Sequence, residues 1–216
     1  MDRKKMICAL LGICASLFLT SAVVGRTTVK AEAQKKHAQE NLAREVFRFH
    51  VLANSDSEED QKLKLKVRDE ILDFMKMKMP KDNASAEAAS AWARKHLKEI
   101  EEVAAHAIRR EGYSYDIHAE VCETYFPDRV YGEILFPKGY YQALRIQIGE
   151  AAGHNWWCVL YPNLCFTDAV CAKVDKSGQE KLQNVLSEED FEAVTVNSDF
   201  QIKSFFLEHF WGKDEE

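Results

Sequence analysis

The stretch Gly153–Phe166, GHNWWCVLYPNLCF, holds two of the chain's four tryptophans and two of its six cysteines. Cys158 could act as a nucleophile with His154 as its base. Such pairs form in space rather than along the chain, so close spacing alone says little. His154, Cys158 and Cys165 supply at most three ligands of the four that a structural zinc needs, in no familiar spacing. We therefore expect no metal site. His50, Asn54 and Asp56 make a second constellation, able to hold a general base or an ion. The local alternative is that Asn54 and Asp56 shape a turn and cap the following helix. No Ser/His/Asp triad, phosphate loop or dinucleotide fingerprint stands elsewhere, and no cofactor is expected.

The elements that must position these residues can be read from periodicity. Glu45–Ala53 alternates Phe47, Phe49, Val51 and Ala53 with Arg48, His50 and Leu52, which predicts a strand with His50 opposite Phe49 and free to be exposed. Asn54-Ser55-Asp56-Ser57 is a cluster of turn and cap residues. Ser57 with Asp60 resembles a capping box, and Leu63, Val67, Ile71, Phe74 and Met75 share one helical face until Pro80. A second long helix is predicted from Ser85, with Trp92, His96, Leu97, Ile100, Ala104 and Ile108 on its stripe, His96 packed within it, and Gly112 as its stop.

Strands dominate afterwards. Tyr113–Val121 alternates, and Val130–Phe136 and Gln142–Ile148 flank Pro137-Lys138-Gly139 as a predicted hairpin. Asn155–Tyr161 reads as a last strand entering the Cys158–Cys165 loop, with Trp156 and Trp157 on opposite faces. One of them should lie in the core and the other near the surface, where tryptophan is favoured in interfaces. Val174–Val196 is polar and less regular, with a short helix near Ser187–Val194. Phe200–Trp211 is an aromatic-rich helical tail. The sum is an α+β fold: a mostly antiparallel sheet with two long helices packed on one face.

The N-terminus bears on the compartment. Asp2-Arg3-Lys4-Lys5 is a short basic start, and Met6–Gly25 carries no charge. That is the pattern of a signal peptide or membrane anchor, and the preceding basic residues would leave the bulk of the chain outside the cytoplasm. Residues 26–45 then read as a juxtamembrane helix or linker, 46–172 as the α+β domain, and 173–216 as a C-terminal extension. The net charge of −6 argues against nucleic acid as a partner. Outside the cytoplasm disulfides are permitted. Cys122, Cys158, Cys165 and Cys171 allow three pairings, of which Cys158–Cys165 closes the shortest loop.

FRFHVLANSDSEEDQKLKLKVRDEIL, Phe47–Leu72, resembles the opening signature of the stage II sporulation protein R family, and GEILFPKGYYQALRIQIGEAAGHNWWCVLYPNLCF, Gly132–Phe166, resembles its second. The resemblance implies an exported signalling protein of endospore formers, secreted or membrane-anchored in the space between forespore and mother cell. Its partner there would be a membrane-embedded aspartic protease of the mother cell, which cleaves the sigma-E precursor. No enzyme activity or small-molecule substrate is implied. On this reading the Cys158–Cys165 loop is structural, and His50, Asn54, Asp56, His154, Asn155 and Trp157 form the partner surface. The alternatives are an exported hydrolase using His50/Asp56 or Cys158/His154, and an envelope scaffold.

Overall fold

β1 (Phe47–Leu52) lies inside the sheet, and both of its faces are covered. The computed structural model describes residues 16, 33, 36–80, 85–131, 134–162 and 176–195. The chain divides into two compact units, 1–38 and 39–216, and the sheet and its helices belong to the second. A helix, α1 (36–45), precedes β1. The other elements are α2 (Glu58–Lys78), α3 (Ala86–Lys95), α4 (Leu97–Arg110), β2 (Ile117–Phe126), β3 (Arg129–Tyr131), β4 (Ile134–Phe136), β5 (Gly139–Ile148), β6 (Asn155–Tyr161), α5 (Lys176–Val185) and α6 (Glu188–Val194).

The main sheet has the order β2-β5-β1-β6. β2–β5 and β1–β6 are antiparallel and β1–β5 is parallel, so the fold is α+β with a mixed, mostly antiparallel sheet. Period-two alternation sends Phe47, Phe49 and Val51 to the helix-bearing face, where they join Ala119, Val121, Leu144, Ile146 and Leu160 in one core. Leu63, Val67 and Ile71 of α2, Ala89 and Ala93 of α3, and Ile100 and Ala104 of α4 complete it.

α2 starts as its residues dictate. Ser57 Oγ accepts the Asp60 N–H at 3.2 Å, and Glu58, Glu59 and Asp60 sit at the positive end of the helix dipole. The predicted second long helix is instead two helices, broken at His96 (φ −110°, ψ 16°). The His96 ring stacks on Trp92 with centroids 4.1 Å apart, and its Nδ1 lies 2.7 Å from Trp92 O. A side chain that engages the carbonyl one turn back competes with the helical ladder and bends it. The apolar stripe resumes in α4, which is why periodicity alone reads straight through the break.

The predicted hairpin does not form. β5 pairs along its length with β2, from Ile117↔Ile148 to Phe126↔Gly139. A ten-residue strand finds more ladder bonds with another ten-residue strand than with a three-residue one. The segment between them, predicted as one strand, folds back on itself as β3 and β4 in a separate two-stranded sheet. β2 also starts later than predicted, after Tyr113 and Tyr115, whose rings stack 5.4 Å apart.

α6 follows its Ser187 cap, and α5 precedes it where the sequence pattern shows little regularity. Among the described residues no helix is long and apolar enough to cross a membrane. Met6–Gly25, apart from Ser16, and the Phe200–Trp211 tail lie outside the described residues.

Candidate functional site

Because β1 and β5 are parallel and β6 returns antiparallel beside β1, the β1–α2 and β5–β6 loops emerge at the same end of the sheet. Asn54 joins them. Its Nδ2–H donates to Asp60 Oδ2 at 2.9 Å, and its Oδ1 accepts the Glu150 N–H at 3.0 Å. Ser55 Oγ–H donates to the same Asp60 oxygen at 2.6 Å. Burial pushes the Asp60 carboxyl up, but the Ser55, Asn54 and Tyr115 donors outweigh it and hold the carboxyl below its ordinary value.

Two glycines permit the close approach of the loops. A Cβ on Gly149 would stand 2.2 Å from Asn54 Oδ1, and one on Gly153 would stand 2.1 Å from the Ser55 carbonyl oxygen. Asp56 Oδ1 accepts both the backbone N–H and the Nδ1 side of His154. Partial desolvation raises the Asp56 carboxyl, yet the two His154 contacts and the nearby Lys64 charge leave it lowered. Lys64 Nζ donates to His154 O at 2.8 Å. Asp56 and His154 themselves stay exposed.

His50, Asn155 and Trp157 lie on the sheet face away from the long helices. His50 sits opposite Trp157 in the β1–β6 register, and the rings stack with centroids 5.9 Å apart. Its Nε2 faces Asn155 Oδ1 at 2.8 Å. The predicted exposure of His50 is wrong: it is only 6% exposed. The outer face is roofed by aromatic residues, and the Phe126 ring lies 5.7 Å from the imidazole. Burial, helped by the charges of Arg145 and Arg48, pulls the His50 pKa down against the raising effect of Asn155. Trp157 lies under the Arg129 guanidinium at 4.2 Å, whereas Trp156 turns inward, edge-on to Phe49 at 5.8 Å.

The six residues singled out from the sequence thus fall into two adjoining groups. Asn54, Asp56 and His154 knit the loops, while His50, Asn155 and Trp157 line the outer face. Neither catalytic pairing is assembled, since His50 engages Asn155 and Asp56 engages His154. Cys158 lies in the buried core on the opposite face from Trp157 and is one half of a disulfide, so it has no thiol to give to His154. Cys165 lies outside the described residues, and the Cys158–Cys165 pairing remains our proposal. Among the described residues no group of three or more His, Cys, Asp or Glu could hold a metal ion.

Sequence reasoning missed Arg48, which is 0% exposed. Its Nη2 donates to Tyr131 Oη at 3.0 Å, and its guanidinium carbon lies 4.0 Å from the Phe126 ring centre and 4.9 Å from that of Tyr141. Burial lowers its pKa and pushes the Tyr141 phenol up to about 12. In the sequence Arg48 is one polar position of an alternating strand, and nothing local says that this face is roofed.

A family model described as stage II sporulation protein R matches residues 43–171. The chain is 34% identical over 180 residues to the stage II sporulation protein R of Bacillus subtilis (strain 168), covering 78% of each chain. No solved structure matches. The match takes in β1 through β6, the elements that build both residue groups. On the family match and the relative together, the chain belongs to the stage II sporulation protein R family.

Proposed function

We propose that this chain is an exported signalling protein that activates a membrane-embedded aspartic protease, which then processes the precursor of the mother-cell sigma factor E. The observation that carries this reading is spatial. The two stretches resembling the family's signatures, far apart in the chain, lie side by side as β1 against β6, with their loops bonded through Asp56 and His154. A surface made jointly by both stretches is what a shared partner would read. The chain is an activator and not itself an enzyme, and it uses no cofactor. Export is supported by the basic start and the uncharged Met6–Gly25 run, and by the Cys158 disulfide, which suits an oxidising compartment. On this reading it works in the space between the forespore and mother-cell membranes, secreted or anchored by that run.

The test is a reconstitution in a bacterium that does not sporulate. The protease and the sigma-factor precursor are co-expressed with and without this chain, and precursor size is followed. Cleavage that requires the chain is the expected result. Intact precursor, with all three proteins present and this chain exported, would overturn the reading.

A further inference from the structure

Arg48 is the largest fully buried side chain among the described residues. Buried charges are ordinarily paired with an opposite charge, yet among the described residues Arg48 makes no ion pair. Its Nε donates to Cys158 O at 3.4 Å and its Nη2 to Tyr131, while Nη1 has no partner among the described residues. Among the described residues Arg129, over the Trp157 ring, makes no ion pair either, whereas Arg145 on the same face is matched by Glu120. The chain has 35 acidic against 29 basic residues, so acids were not scarce.

Three buried side-chain polar atoms lack a hydrogen-bond partner among the described residues: Arg48 Nη1, His50 Nδ1 and Trp157 Nε1. They belong to neighbouring positions of one sheet face, His50 opposite Trp157 and Arg48 two residues along the same strand. Arginine and tryptophan only donate, whereas the buried, neutral His50 ring gives its Nε2–H to Asn155 Oδ1 and presents Nδ1 as an acceptor. What Arg48 and Trp157 lack is an acceptor, and a carboxylate supplies two acceptor oxygens together with the charge that matches the guanidinium.

The roof stands outside the main sheet and is held at Ile134 by an isolated bridge to Thr195. β3 and β4 pair with each other as three-residue strands outside the main sheet, and a two-stranded hairpin is marginal by itself. Tyr131 ties it down, donating to Trp157 O at 3.1 Å and accepting from Arg48.

We infer that Arg48 and Trp157 form a binding site for an acidic side chain of a partner protein, and that the partner displaces the β3 and β4 strands to reach it. This rests on the activator reading, with the carboxylate carried by the extracytoplasmic part of the protease. Guanidinium–carboxylate pairing then completes a cluster that the chain alone leaves open, while the aromatic cage holds the cation beforehand.

The reconstituted cleavage assay tests it with full-length R48M, W157F and wild type, alongside melting of each full-length protein in detergent. R48M exchanges a buried, unmatched charge for an apolar chain of similar length. It should melt at or above wild type and yet lower cleavage at least tenfold. W157F keeps an aromatic ring and removes the N–H, and should lower cleavage at least threefold. A folded R48M that cleaves within twofold of wild type overturns the site, and so does W157F within twofold should R48M fail to fold. Asp→Asn and Glu→Gln changes in the exported loops of the protease complete the test. One of them should lower cleavage with wild type and no further with the folded variant, and a scan in which none does so overturns the proposal. If wild type itself gives no cleavage, the activator reading fails and takes the site with it, a result distinct from failure of the variants alone.

Discussion

His154 addresses a single oxygen of Asp56 with both its backbone N–H and its imidazole, across 98 positions of chain. The contact exists because parallel β1–β5 and antiparallel β1–β6 bring both loops to one end of the sheet. It clips the start of β6 to the turn that opens α2.

Replacing Asp56 by Ala removes that acceptor from an exposed position. The expected outcome is local. Hydrogen exchange at the His154 amide accelerates while global melting moves little, because exposed charge pairs contribute little to stability. Exchange followed by NMR on both proteins checks this. An unchanged His154 amide would mean that the clip does not hold the loop.

Asn54→Ala strikes deeper, since Asn54 donates to the buried Asp60 carboxylate and accepts the Glu150 N–H. The loss should be about 2–3 kcal/mol in urea unfolding at pH 7, the sum of a charge-assisted and a neutral bond. Asp60 is held below its ordinary value of 3.8 in the fold. Its contribution is therefore complete above 3.8 and is lost as pH falls through the lower folded value. The gap between wild type and N54A should accordingly narrow below pH 3.8, and a gap constant down to pH 2.5 would contradict this.

His50 gives the opposite half of the pH profile. Its folded pKa lies below 6.5, so the unfolded chain takes up a proton before the folded one does. Stability should fall as pH drops from 6.5 to the lower folded value, at up to about 1.4 kcal/mol per pH unit. The H50Q protein keeps a polar group facing Asn155 and loses this component. Melting temperatures of both proteins at pH 7.5 and 5.5 check it, and equal shifts in the two would refute it.

Gly153→Ala pushes a methyl group against the Ser55 carbonyl, an approach of 2.1 Å that backbone must move to relieve. We expect a loss of about 1–3 kcal/mol, read from the urea midpoint. The Asp56–His154 contact should loosen with it, seen as faster exchange at the His154 amide.

The sequence by itself determined the elements whose signals are local. Phe47–Leu52 alternates with period two, Ser57 caps α2, and Leu63, Val67, Ile71 and Met75 fall on one helical face, because backbone geometry sets these spacings within a few residues. It also carried the family signatures, and with them the family. Only the tertiary structure decided the partners. The chain between Phe126 and Gly139 could pair forward with β5 or fold onto itself, and the full-length β2–β5 ladder settled it. His96 broke a helix whose apolar stripe runs on uninterrupted. Arg48 and His50 occupy positions that alternation assigns to the polar face of a half-exposed strand. Arg48 is covered by Phe126, Tyr131, Phe136 and Tyr141 and His50 by Phe126, which arrive from far along the chain. Period-two spacing tells which residues share a face, and it carries no information on what distant segment will cover that face.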